Sequence, residues 1–480
     1  MFKSIYKYLF ILFFISLLAT NCKLLEKTPK TDFTLLPESF NGGKDTANFA
    51  NINWRSYFID STLNTLIETA LQNNLDLSIA LQRIEMSRSQ VQFAKGLPLP
   101  FVSGGASAGQ RRFGKYTMDG IGNFDTNFST NIDENQKIPE HLPDYHVGLQ
   151  SAWEADIWGK LKNVKKAALA RYLASIEGKN FVITHLVADL ANFYYELLTL
   201  DSELDIIQKT IFLQENALSI VRVQKQAGAA NELAVQQFEA QLLNSKSLEF
   251  ELRQEIVGIE NRINFLLGRF PQVIPRNQLY FTKPMPTQIA TGIPTNLLRN
   301  RPDIKQAEYE VRATKADVYT AQAAFYPSLN IVANIGFQSF NPAFLLSPAS
   351  IAYNLLGGLT APLMNRSAIK ARLGVAKASQ LEALYNYQKH IINAYIEVYN
   401  QLTNINNLEQ IYLLRNREVE VLNNAIETSA TLFMTGRATY LEVIITQENA
   451  LQAKLSLATI KKRQYQALVN MYRALGGGWR

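Results

Sequence analysis

The chain has 480 residues, of which 47% are hydrophobic, 11% aromatic and 19% charged, a composition that excludes a disordered polymer. Its single cysteine excludes a disulfide framework and any multi-cysteine zinc or iron–sulfur site. The net charge of +7 becomes +5 when Lys3 and Lys7 leave with residues 1–21; it is not gathered into one basic run, which argues against nucleic acid as a partner.

Residues 1–21 read as an export signal: Lys3 and Lys7 give a charged start, and Tyr8 to Leu18 is an apolar run too short to span a bilayer. The stretch Leu18-Ala19-Thr20-Asn21-Cys22 resembles a bacterial lipobox, which implies lipidation of Cys22 as the first mature residue. Asn21 stands where such a box usually has a small residue, and a general signal peptide with an incidental cysteine is the plainer alternative. Residues 22–60 are then expected to be a lipidated, extended N-terminal segment. No later stretch is long and apolar enough for a transmembrane helix.

From residue 61 the chain reads as two repeats, 61–290 and 291–480, each a helix, two strands and a long helical hairpin. In the first repeat Pro100 to about Arg111 is Gly- and Ala-rich, and Arg112 to Leu142 is long and polar, as an extracellular loop would be. Next, Tyr145, Val147, Leu149, Trp153, Ala155 and Ile157 alternate with His146, Gly148, Gln150, Glu154 and Asp156. No proline falls between Pro143 and Pro271, which leaves room for long helices. There Leu186, Leu190, Phe193, Leu197, Leu200, Leu204, Ile207 and Ile211 recur at spacings of four and three, and Leu218 and Val221 continue past Gln214. That period is a left-handed coiled-coil seam, on helices of about 60 residues, or roughly 90 Å. Gly228 marks the reversal between the two arms.

The second repeat follows the same plan. Leu329, Ile331, Ala333, Ile335 and Phe337 alternate with polar residues, and Ile351 to Ala361 supplies a second, less patterned strand. After Pro362 no proline occurs, and Leu381, Leu384, Ile391, Tyr395, Val398, Leu402, Ile405 and Tyr412 keep the coiled-coil rhythm, with Gln388 and Glu409 interrupting it. Gly436 marks the second reversal. Short matches tie the halves together. Gly228-Ala229-Ala230-Asn231-Glu232-Leu233 corresponds to Gly436-Arg437-Ala438-Thr439-Tyr440-Leu441, and Leu267-Gly268 to Leu475-Gly476.

Alternation with one greasy and one polar face suits a strand between lipid and a wet lumen, or a soluble sheet with one face on a core. A transmembrane barrel needs about eight strands or more, so four strands require several copies to share one.

The segment from Ile293-Pro294 through Leu297-Leu298-Arg299-Asn300 to Arg301-Pro302-Asp303-Ile304, with Ala307-Glu308 and Ala324-Phe325-Tyr326-Pro327-Ser328-Leu329, resembles the second-half signature of TolC-like outer-membrane efflux proteins. The lipidated drug-efflux branch is the nearest likeness. This implies a homotrimer in which each chain gives four strands to a twelve-stranded β-barrel in the outer membrane, and twelve long helices form a tunnel across the periplasm. It also implies a periplasmic adaptor protein and an inner-membrane efflux pump as partners. Pro302 suits the first position of a helix and Asp303 its first turn, so Arg301, Pro302, Asp303 and Pro327 are read as structural signature residues.

In that family the hairpin tips form the periplasmic entrance and meet the adaptor. Ala438 falls where many members carry a charged residue, so Arg437, Tyr440 and Glu442 are the expected substitutes for a constricting ring. Thr439 on the same tip, and Asn231 and Glu232 on the first, complete the candidate gate. No cofactor is expected. His141, His146, His185 and His390 lack metal-ligand spacing, and there is no Walker A loop. The expected function is a passive duct for drugs or other small toxic solutes; the alternative is a lipid-anchored periplasmic coiled-coil scaffold or adaptor without a pore.

Overall fold

In chain order, the computed structural model begins with α1 (Trp54–Tyr57), α2 (Ser61–Asn73) and α3 (Leu75–Gly96). Two strands follow, β1 (Phe101–Arg111) and β2 (Leu142–Ala155), separated by a loop that carries α4 (Met118–Thr126). The first hairpin is α5 (Lys160–Gln226) and α6 (Glu232–Leu266). The second half repeats this with α7 (Thr295–Asn300), α8 (Pro302–Ala323), β3 (Ser328–Ser339), β4 (Ile351–Thr360), α9 (Ser367–Met434) and α10 (Tyr440–Ala474). The structure describes residues 37–40, 52–278, 281, 292–364 and 366–479. The export signal, Cys22 and most of the segment 22–60 lie outside the described residues.

The absence of proline is realised as length. α5 has 67 residues and α9 has 68, each about 100 Å at 1.5 Å per residue. The return arms are shorter than the expected 60 or so, at 35 residues each. They stop at Leu266 and Ala474 because Gly268 and Gly476 follow with φ of 67° and 91°, backbone that L side chains adopt only under strain. Both glycines also lie against another helix junction. A Cβ on Gly268 would stand 2.4 Å from the Asn73 carbonyl oxygen, and one on Gly476 would stand 2.7 Å from the Asn300 carbonyl carbon. Thus α6 meets the α2–α3 junction, and α10 meets the α7–α8 junction.

The helices form one layer of four columns. α5 packs against α6 and α3 on one side and against α8 and α10 on the other, while α9 packs against α10 and α8. The order is therefore α6 with α3, then α5, then α10 with α8, then α9. The seam of α5 is buried where the sequence pattern placed it: Leu186, Leu190, Leu197, Leu200, Ile207, Ile211, Leu218 and Val221 all join the core. Gln214, the interruption, is also buried, 1% exposed, and neither its amide oxygen nor its nitrogen finds a partner among the described residues.

The two joints between hairpin and shorter helices are built from different chemistry. In the first, the Asn74 side-chain oxygen accepts from Leu77 N at 2.9 Å and its amide nitrogen donates to Leu266 O at 2.9 Å. Beyond it, Arg276 clamps Asp201 of α5 through two bonds of 2.6 and 2.9 Å and also pairs with Glu260 of α6. In the second, Arg301 is buried and donates to both Asp303 oxygens at 3.0 and 2.7 Å, to Glu397 at 2.6 Å and to the Ala474 carbonyl at 2.9 Å. Burial is the largest influence on both Arg301 and Asp303 and opposes both charges. Their mutual hydrogen bonds and attraction outweigh it, so the guanidinium is held above its usual range and the carboxyl below.

Candidate channel wall and entrance

The four strands pair antiparallel in the order β1-β2-β3-β4. Their register aligns the alternation seen in the sequence into two continuous faces. On one, Val147, Leu149 and Trp153 of β2 stand opposite Phe337, Ile335 and Ile331 of β3, and Leu329, Ile335 and Phe337 stand opposite Leu359, Tyr353 and Ile351 of β4. On the other, Ser103, Gln150, Asn334 and Asn354 form a row across all four strands, with His146–Gln338 and Glu154–Asn330 beside it. β1 and β4, which the sequence patterned weakly, run Phe101–Arg111 and Ile351–Thr360, close to the expected limits.

The apolar face is uncovered. Leu149 is 54% exposed, Ile335 57% and Tyr353 81%. Burying such side chains is worth about 1.5–3 kcal/mol each, so a face of this kind in water would be strongly disfavoured. At the helix-ward end the Trp153 indole donates to Pro98 O at 2.9 Å and the Trp158 indole to Pro327 O at 2.7 Å. Trp158 also stacks on Tyr326 with ring centroids 4.8 Å apart. Such rings, apolar in body and polar at one edge, are typical of a membrane–water boundary. Pro327 therefore lies at the entry to β3, its carbonyl held by an indole.

Both the sheet and the helix layer have two open edges, and they are the same edges. β1 continues from α3, and β4 continues into α9; no strand of the described residues covers the outer side of either β1 or β4. The helices at those edges keep large apolar side chains exposed, among them Phe93 on α3 and Phe250 on α6, and Tyr399 and Leu414 on α9.

At the far end, both hairpin tips share one turn geometry. Gly228 and Gly436 have φ of 75° and 71°. The amides of Ala229 and Ala230 close back on Gln224 O, and those of Arg437 and Ala438 on Leu432 O. The next helix is then capped, by Asn231 accepting from Ala234 N at 2.9 Å on the first tip. On the second, Thr439 and Glu442 form a capping box: Glu442 accepts from Thr439 N at 2.6 Å and from its hydroxyl at 3.0 Å. The backbone bond first, and then the hydroxyl, hold the Glu442 carboxyl below its usual range.

The candidate gate residues accordingly do different work within one chain. Glu232 pairs with Lys225 across the first turn. Tyr440 is half-buried and packs on the apolar core, and Glu442 serves its own helix end. Arg437 is exposed and enters no salt bridge among the described residues. The sequence reading missed the Lys225–Glu232 and Arg222–Glu239 pairs that bind the first tip together. The signal was present in the charges flanking the glycine turn.

An amphipathic sheet with two open edges, continuous with about 100 Å of helical hairpin, is one third of a TolC-like channel, in which three chains close a shared twelve-stranded β-barrel and an α-barrel. The chain belongs to the outer membrane efflux protein family, whose model matches residues 66–269 and 293–477. The family is one of channel proteins. The chain is 25% identical over 472 residues to the cation efflux system protein CusC of Escherichia coli, covering 97% of this chain and 98% of that one. It is 29% identical over 426 residues to the pyoverdine export outer membrane protein OpmQ of Pseudomonas putida, covering 89% and 88%. Among solved structures, a membrane protein from Pseudomonas aeruginosa superposes with a TM-score of 0.83 at 25% identity, covering 94% of this chain and 97% of that one. The protein is thus an outer-membrane efflux channel, its helical tunnel projecting into the periplasm.

Proposed function

We propose that this channel exports small toxic solutes, handed to it by an inner-membrane pump through an adaptor that docks on the two hairpin tips. The observation that carries the reading is the four-stranded sheet with one uncovered apolar face, one polar face and both edges open. Its polar row offers hydrogen bonds to many solutes and a tight site to none, as a passive duct requires. Relatives named for cation, pyoverdine and toluene efflux are consistent with a conduit whose cargo is chosen by the pump. Cys22 is the proposed lipid anchor, and 61–290 and 291–480 the proposed repeat boundaries.

At the entrance, Arg437 is the proposed constricting side chain, with Tyr440 giving bulk. Glu442, Thr439, Asn231 and Glu232 fix the tip's shape and offer adaptor contacts. Planar-bilayer recording tests this. The wild-type chain should form low-conductance channels, and the Arg437→Ala, Tyr440→Ala double variant should open them wider. Unchanged conductance would move the gate elsewhere, and no conductance from either would end the duct reading. A Cys22→Ala variant should still need detergent for extraction, because the barrel alone holds it in the membrane.

A further inference from the structure

We propose that α4, in the outward loop between β1 and β2, clasps the β3–β4 loop of the neighbouring copy. The proposal rests on shared closure of the barrel and adds a contact outside it. Its first support is an apolar face on α4 and the turn after it that the described residues leave uncovered: Met118 is 88% exposed, Ile121 55% and Phe124 65% on the helix, and Phe128, just past its end, 71%. The face is held ready. Phe124 and Phe128 meet edge to face at 5.0 Å, and Asn127 bonds Ile138 through both its oxygen (2.7 Å) and its nitrogen (2.8 Å), fixing the neck of the loop. Arg112 and Glu140 pair at 2.5 Å below it.

The second support is topology. Arg111 stands opposite Leu142, Tyr145 opposite Ser339, and Phe337 opposite Ile351, so the β1–β2 and β3–β4 loops leave the same end of the sheet. When β1 of one copy continues the sheet against β4 of the next, these loops leave neighbouring strands about 4.8 Å apart. α4 begins seven residues after Arg111 and so follows the seam strand directly. Across the seam the neighbour's loop presents Phe344 and Leu346, 39% and 72% exposed, with no charge between residues 341 and 350. α4 carries Asp119 and Asp125 and no lysine or arginine. Helices that bind membrane surfaces are rich in basic residues, so the charge favours the uncharged loop over lipid headgroups.

The test uses the full chain, purified as a trimer in detergent, with Asp125→Cys and Ala343→Cys combined and each alone as a control. A short bismaleimide should produce covalent dimers and trimers after complete denaturation. Adding Phe124→Ser and Phe128→Ser should abolish those bands and lower the temperature at which the trimer dissociates by several degrees. Cross-linking only within single chains, in a preparation whose native mass is trimeric, would overturn the clasp while leaving the shared barrel standing. Unchanged interchain bands after the serine substitutions would overturn its apolar basis. A parent chain that is monomeric by native mass would remove the shared barrel, and the clasp with it.

Discussion

The two hairpins are matched in length and turn but not in what covers them. α5 carries its heptad stripe in the middle of the helix layer, and nearly all of that stripe is buried within one chain. α9 carries the same rhythm at the layer's edge, and of its stripe only Val398 is fully buried; Leu381, Leu384, Ile391, Tyr395, Leu402, Ile405 and Tyr412 remain half-exposed. A coiled-coil pattern thus identifies that a seam exists without saying which chain supplies its other side. The edge helix is amphipathic toward a neighbour, the central one toward its own fold. The open edges of the sheet say the same thing independently.

A sharper contrast separates the two joints, and it sets the largest expected effect. Arg301 is buried between Asp303, Glu397 and the end of α10, so removing it leaves the buried Asp303 carboxylate facing only the exposed His390 imidazole, 3.6 Å away, while Glu397 is partly open to solvent. Arg301→Ala should cost about 3–5 kcal/mol, whereas an apolar exchange of the whole cluster should cost much less. A thermal unfolding midpoint close to wild type for Arg301→Ala would mean that the charges are solvated in the trimer.

The same pair predicts a pH limb. The Asp303 carboxyl is held below its unfolded value, so its contribution is fully present above the ordinary carboxylate range and is lost as pH falls through the folded value. Stability of the wild-type chain should fall on acidification below about pH 4, and Asp303→Asn should flatten that fall. An acid limb of equal steepness in the variant would assign the effect to other carboxylates. Asn74, the cap at the first joint, does not titrate. Asn74→Ala should cost about 1–2 kcal/mol, the worth of a lost cap with a stranded carbonyl, and should be nearly independent of pH.

How much of this was legible in the sequence follows from the range of the forces involved. Strand alternation and heptad rhythm are local, so β2, β3 and the α5 seam could be read directly. The glycine turns were legible because Gly228 and Gly436 need a positive φ that few residues adopt. α4 was hidden: its N-cap Thr117 accepts from Gly120 N at 3.1 Å, yet Gly120 and Gly122 weaken the helical pattern enough for the segment to read as loop. The Arg301 cluster was hidden for another reason. Pro302 and Asp303 were readable as a helix start, but Glu397 and Ala474 lie 96 and 173 residues away from Arg301, and nothing in local pattern selects them. The return arms were expected at about 60 residues and have 35, although the glycines that end them, Gly268 and Gly476, stood out in the sequence; what local pattern did not show is that each glycine abuts Asn73 or Asn300.

The tips give the smallest effects and the finest form of the comparison. The first tip adds an exposed Lys225–Glu232 pair to its Asn231 cap; the second relies on the Thr439–Glu442 capping box. An exposed ion pair is worth under about 1 kcal/mol and is screened by salt, whereas losing a threonine cap costs about 1 kcal/mol with little salt dependence. Glu232→Gln should therefore be nearly silent in stability at high ionic strength, and Thr439→Ala should persist at every salt concentration. The two variants should also differ in function. If the tips act as one docking surface, both should weaken adaptor binding alike in a pull-down. If the second tip alone carries the constriction, Thr439→Ala should raise single-channel conductance, because the helix end that sets the position of Arg437 and Tyr440 has frayed, and Glu232→Gln should leave it unchanged. Equal conductance in both variants would show that the two tips share the gate.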